Sequence, residues 1–144
     1  MLKQEEVEKL LSMPKKLTAV TSIQFPILDE YIELDANSVD ESERFIFDVS
    51  RKGRFKLLKC TYQERYLKTE ALLRLDVDGP PHTNPDGQRI ECPHLHIYRE
   101  DFGDRWAIPA PPNLVIANDL VRTLKNFLSY AKVVEIPRIQ RGIN

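Results

Sequence analysis

Apolar residues recur with two different periods along this chain, and the change of period divides it into three parts. Near the start, Val7, Leu10 and Leu11 fall at i, i+3 and i+4, one face of a helix, and Glu5 and Glu6 sit where the dipole of a first turn favours acids. The spacing predicts a helix over residues 4–13 that Pro14 stops. From Tyr31 to Tyr98 the period becomes two. Tyr31–Leu34, Arg44–Ser50, Phe55–Tyr62, Thr69–Val77 and His94–Tyr98 read as strands, most of them bounded by turn residues and carrying β-branched or aromatic side chains. Asn37–Glu43 and Arg51–Arg54 are the turns between them, the second short enough for a tight hairpin. Toward the end, Leu120, Val121, Leu124, Phe127 and Leu128 form one apolar stripe, predicting a helix over 118–131 capped by Asn118 or Asp119. A short extended piece at Ser22–Phe25 and a brief edge strand within 133–144 complete the reading. The fold class is α+β: one domain over 1–144, an antiparallel meander of about five strands with an N-terminal and a C-terminal helix packed on it.

Composition agrees with a folded domain and removes several classes. With 144 residues, 42% hydrophobic and 30% charged, the chain can bury a sizeable core and is not a disordered polymer. No apolar run reaches the roughly 18 residues of a membrane span. The acidic, amphipathic start does not read as a signal peptide, and two cysteines without CxxC spacing point to reduced thiols in a cytoplasmic protein. No Gly-rich loop follows a strand, so a nucleotide-binding α/β fold has nothing to rest on. The net charge of −1 conceals segregation: residues 1–50 hold five basic against eleven acidic side chains, and residues 51–74 hold eight against two. Such asymmetry marks either an anion-binding face or the solvated outer faces of strands.

The chemistry concentrates in one stretch, Leu73 to Glu100. It holds all three histidines, His82, His94 and His96, one of the two cysteines, Cys92, and a proline-stiffened loop over 79–93. In a strand, His94 and His96 project to one face while Leu95 and Ile97 take the other. Pairing with the preceding strand in the register that buries Leu73, Leu75 and Ile97 together brings Arg74 and Asp76 onto the histidine face, and the loop returns His82. Three readings of that patch stay open. In the first, His94 and His96 are a general acid and base for phosphodiester chemistry, Asp76 orients an imidazole, His82 is a third member, and Arg74 and Lys68 hold the phosphate. RNA brings its own nucleophile, so this reading needs no cofactor. In the second, His94 and His96 with His82 or Asp76 ligate a divalent transition metal such as zinc. In the third, the histidines are hydrogen-bond anchors that fix the loop, and Arg74–Asp76 is a buttressing ion pair. Upstream, Tyr62, Arg65, Tyr66 and Lys68 interleave aromatics with cations, a pattern suited to stacking on bases and pairing with phosphates, and Arg99 extends it.

The runs Gly79-Pro-Pro-His-Thr-Asn-Pro-Asp-Gly87, Cys92-Pro-His-Leu-His-Ile-Tyr-Arg-Glu100 and Asp104-Arg-Trp-Ala-Ile-Pro109 resemble a family of small bacterial and phage proteins. In outline, Arg74-x-Asp76, Pro81-His82 and Pro93-His94-x-His96 are also similar to TumE-type toxins of two-gene toxin–antitoxin modules. The likeness covers about a quarter of the chain. The spacing from Asp76 to His82 and the Thr-Asn-Pro-Asp-Gly insertion depart from the toxin pattern. The resemblance implies a mobile-element or defence setting, a cognate protein partner, and Arg74, Asp76, His82, His94 and His96 as the functional set. RNA and that protein are the expected partners. The rival expectation is a non-catalytic interaction or antidefence protein whose loop is a docking surface.

Overall fold

The computed structural model describes residues 1–53 and 58–141. In chain order the elements are α1 (Gln4–Ser12), β1 (Lys15–Leu17), β2 (Ser22–Gln24), β3 (Tyr31–Ser38), β4 (Arg44–Ser50), β5 (Thr61–Tyr66) and β6 (Glu70–Asp76). They continue with β7 (His82–Thr83), β8 (Arg89–Ile90), β9 (His94–Ile97), β10 (Ala107–Pro109), α2 (Leu120–Tyr130) and β11 (Arg138–Gln140). Seven strands form one sheet in the order β1-β3-β4-β5-β6-β9-β10, every pair antiparallel. The α+β class and the helix at each end stand as the periodicity predicts. The sheet is larger than the expected five strands because the three-residue strands β1 and β10 close its two sides. The tail does add a strand, β11, but it pairs in parallel with β2, outside the main sheet. Among the described residues no helix is long and apolar enough to cross a membrane.

The centre of the meander departs from the sequence reading. β4 ends at Ser50, which pairs with Thr61 at the start of β5, so ten residues rather than a tight hairpin separate the two strands. Residues 54–57, which include part of the expected turn and strand, lie outside the described residues; of the described part of the expected strand, 58–62, Thr61 and Tyr62 are strand. The short turn is instead between β5 and β6, where Leu67 and Lys68 both take left-handed backbone, at φ 54° and 62°.

Cross-strand register sorts the sheet into two faces. Phe47, Glu64, Leu73 and Ile97 stand side by side, as do Val49, Tyr62, Leu75 and Leu95. This face meets the helices: the Tyr62 hydroxyl donates to Leu120 O at 2.6 Å, and its ring lies 5.9 Å from that of Phe127. Val121, Leu124, Phe127 and Leu128 of α2 and Val7 and Leu10 of α1 are buried with it. One ion pair lies inside this apolar layer. Lys15 Nζ is 3.0 Å from Glu64 Oε2, with both side chains fully shielded from solvent. The ammonium also donates to Leu11 O and Ala131 O, at the C-terminal ends of the two helices. The opposite face carries the polar row Asp48, Gln63, Arg74, His96 and, beside it, Ser50, Thr61, Asp76, His94.

Candidate functional site

The polar face becomes a site where β6 and β9 run together. The pairs Arg74–His96 and Asp76–His94 are direct cross-strand neighbours, so four chemically capable side chains share one face, as the strand period and the burial of Leu73, Leu75 and Ile97 require. Asp76 is the hub. Its Oδ2 lies 3.1 Å from His94 Nε2, 3.4 Å from His96 Nε2 and 3.5 Å from Arg74 Nε, while Thr61 donates to Oδ1 at 3.1 Å. Burial alone would raise the Asp76 carboxyl, but the His96 hydrogen bond and the Arg74 charge outweigh it and hold the group down at about 2.

The outer nitrogen of each strand imidazole meets a backbone carbonyl: His94 Nδ1 is 3.2 Å from Ile90 O, and His96 Nδ1 is 2.8 Å from Asp104 O. Both Nε2 atoms therefore point inward at the carboxylate. His96 Nε2 also lies 3.1 Å from Arg74 Nη2, and Arg74 Nη1 donates to Asp104 Oδ2 at 2.7 Å. The histidines are 2% and 1% exposed, while the side chains of Arg74 and Asp76 beside them are 30% and 22% exposed. Above them opens a cleft of about 240 Å³, lined also by Lys59, Thr61, Asp78, His82 and Cys92.

The 79–93 loop forms the wall of this cleft and is not free coil. β7 and β8 pair as a small hairpin turned by Asp86 and Gly87. Two contacts fasten it to the segment before and within β10. His82 Nε2 is 2.7 Å from Arg105 O, which sets the ring edge-on to His96 with centroids 4.5 Å apart. The buried Asn84 amide donates to Ala107 O at 2.9 Å and accepts from Ala107 N at 2.8 Å, filling the place of a neighbouring strand. His82 is thus close to the site, but it lies outside the set in which Asp76, His94 and His96 place ligand atoms within 4.8 Å of one another. Of the two candidates for a third ligand, His82 and Asp76, the geometry presents Asp76.

The aromatic–cation stretch falls elsewhere. Tyr62, expected to stack on bases, is fully buried against α2, and burial pushes its hydroxyl well above the ordinary range. Tyr66 packs against Phe45 and donates to Glu43 Oε1, so its ring serves the edge of the core. Arg65 is held by two contacts to Asp48, at 2.6 and 2.8 Å, and by Glu33, which neutralise it as a phosphate clamp. Lys68 is exposed but, with Arg65 and Tyr66, lines a different and larger groove of about 750 Å³ that contains no histidine. Arg99 lies over the Trp106 ring, its Cζ 4.1 Å from the centroid. The alternation of aromatic and basic residues misled because it belongs to a strand whose inward members are core. Both thiols stay protonated: burial pushes Cys60 up to about 12, and burial with the charges of Asp76 and Asp78 pushes Cys92 up to about 11.

Asp104, Thr61 and Asn84 complete the site, and sequence reasoning assigned them no role. Asp104 and Asn84 sit in irregular segments with no periodic signal, and Thr61 opens β5, whose bounds the sequence pattern does not mark.

A family model, described as a family of unknown function (DUF6978), matches residues 2–133, and the chain belongs to that family. No curated protein and no solved structure matches the chain.

Proposed function

We propose that this member of the family engages a phosphate-bearing ligand, RNA foremost, in the histidine cleft, and that the engagement extends to cleavage of the RNA backbone without a metal. One observation carries the reading: the two imidazoles share a carboxylate but have unlike hydrogen-bond roles. His94 stands between two acceptors, Ile90 O and Asp76 Oδ2, and satisfies both only as a ring protonated on both nitrogens. His96 Nδ1 donates to Asp104 O, and its Nε2 lies between Arg74 Nη2 at 3.1 Å, from which it accepts as a neutral ring, and Asp76 Oδ2 at 3.4 Å, to which it donates once it has taken a proton. A proton donor and a proton acceptor thus lie with ring centroids 5.0 Å apart, as general acid–base catalysis needs.

In RNA cleavage His96 Nε2 takes the proton of the 2′-hydroxyl, whose oxygen bonds to phosphorus. The phosphorus–O5′ bond breaks, and His94 returns a proton to the departing O5′. Arg74 and Lys59 supply positive charge to the phosphoryl oxygens, and Asp76 keeps the donor ring oriented. The outline shared with TumE-type toxins supports a toxin–antitoxin setting with a cognate protein partner, and the acidic first third offers a surface to a basic one. A second reading, a non-catalytic docking surface, is favoured by the double fastening of the loop through His82 and Asn84.

Expressing the wild type and His94→Ala/His96→Ala, then following growth and RNA integrity, separates the two. Catalysis predicts growth arrest and RNA breakage with the wild type and neither with the double variant. Intact RNA in cells, and after incubation with purified wild type in EDTA, would sink the nuclease.

A further inference from the structure

The inward atoms of the site have a second use, and we propose that the protein binds one divalent transition-metal ion, zinc first, through His94 Nε2, His96 Nε2 and Asp76 Oδ2. These atoms lie within 4.8 Å of one another. Asp76 Oδ2 is 3.1 Å from one nitrogen and 3.4 Å from the other. Two ligands that each stand about 2.1 Å from a tetrahedral zinc ion are themselves about 3.4 Å apart, so these edges already have the length that ligation requires.

Surrounding contacts orient the donors as a metal site needs. Both rings present Nδ1 to a backbone carbonyl, which holds one ring proton outside and turns Nε2 inward; His96 aims its Nε2 lone pair there, and His94 does so once the incoming cation displaces its second proton. The carboxylate is oriented in turn by Thr61 at its other oxygen. Two imidazoles and one carboxylate suit zinc, cobalt or nickel better than magnesium or calcium, which prefer oxygen alone, or copper(I), which prefers sulfur. The cleft above leaves room for water or a substrate oxygen as a fourth ligand.

Arg74 is the competitor. Its Nη2 occupies the lone pair of His96 at 3.1 Å, and an incoming cation must displace it. Because Arg74 is also held by Asp104 at 2.7 Å and is partly exposed, it can turn away on that second carboxylate. The inference does not rest on the phosphate reading. Metal and acid–base chemistry use the same two Nε2 atoms, so the two are measured apart.

The test uses the untagged full chain, stripped with EDTA and returned to metal-free buffer. Titration with zinc by calorimetry and with cobalt by visible absorption is expected to saturate at one ion per chain, and cobalt bound by this set absorbs in the visible. Asp76→Asn and His96→Gln are expected to bind roughly 100-fold more weakly or worse. His82→Ala is expected to bind as the wild type does, and Arg74→Met more tightly. A wild type that takes up neither ion stoichiometrically overturns the proposal, as does an Arg74→Met variant that binds no more tightly. Should the ligand variants fail to melt cooperatively, the wild type, His82→Ala and Arg74→Met titrations decide alone. Metal binding is read without RNA and cleavage is read in EDTA, so each idea can fail while the other stands.

Discussion

Replacing Lys15 by methionine removes the ammonium buried inside the apolar layer and leaves Glu64 buried without it. Methionine keeps most of the side-chain volume, so the lost terms are electrostatic. Lys15 Nζ answers the Glu64 carboxylate at 3.0 Å and the carbonyls of Leu11 and Ala131 at 3.3 and 3.0 Å, and those carbonyls are the negative ends of two helices. The Glu64 oxygens have no hydrogen-bond partner beyond the ion pair. Stranding a buried charge in this way costs about 3–5 kcal/mol.

The cost depends on pH in a defined direction. Burial pushes the Glu64 carboxyl from its ordinary 4.5 up to about 7, against the opposing charge and hydrogen bond of Lys15. Without Lys15 it rises further. A carboxyl raised in the folded state contributes fully below its unfolded value, and that contribution is lost as pH rises through the folded value. The variant should therefore lose stability from about pH 5 to about pH 8 at up to about 1.4 kcal/mol per pH unit. Lys15, lowered by burial, works with the opposite sign: its contribution is present at high pH and lost as pH falls through its folded value. The wild-type profile levels off above about pH 7, where its own Glu64 has ionised. Urea unfolding should show a gap between wild type and Lys15→Met that widens as pH rises above about 7. Lys15→Met/Glu64→Leu should recover most of the loss, since an apolar pair of similar volume replaces a buried ion pair at little cost. A deficit under about 1 kcal/mol near pH 8, or one that does not change with pH, refutes the reasoning.

Asn84→Ala deletes both contacts to Ala107 in a buried setting and should cost about 2–3 kcal/mol. The Ala107 amide should exchange its hydrogen faster in that variant, and unchanged exchange would show that the loop is held by other means. Lys68→Gly relieves left-handed backbone at φ 62° on an exposed residue and should stabilise the protein by about 1 kcal/mol in urea unfolding. It should leave RNA cleavage unchanged, because Lys68 lines the groove away from the histidines.

The histidine face was legible because burial forces register. Leu73, Leu75, Leu95 and Ile97 must share the core side, and Arg74, Asp76, His94 and His96 then have one place to go. The two helices were legible from the stripe that each lays on the sheet. What the alternation hid traces largely to one ion pair. β5 reads Thr61-Tyr-Gln-Glu-Arg-Tyr66, and with Glu64 inward one of its buried positions looks polar, so the alternation of the sequence does not carry past Tyr62. β1 begins with the buried Lys15, which hides it among connecting residues for the same reason. The partners of the site were hidden differently. Asp104 and Asn84 act from irregular backbone, where position along the chain carries no information about direction.

The loop that shapes the cleft also covers one margin of the sheet. A sheet invites addition at its sides, where backbone groups face outward. On the β10 side, Ala107 has both groups taken by Asn84, and Pro109 offers no N–H. On the β1 side, Lys15 N donates to Lys132 O, and Lys15 O accepts from Val134 N. Both margins are thus partly spoken for by the chain itself. Loosening the Asn84 clasp would open one of them, so a lesion in the wall of the cleft would carry a second cost: a template for stacking copies strand on strand.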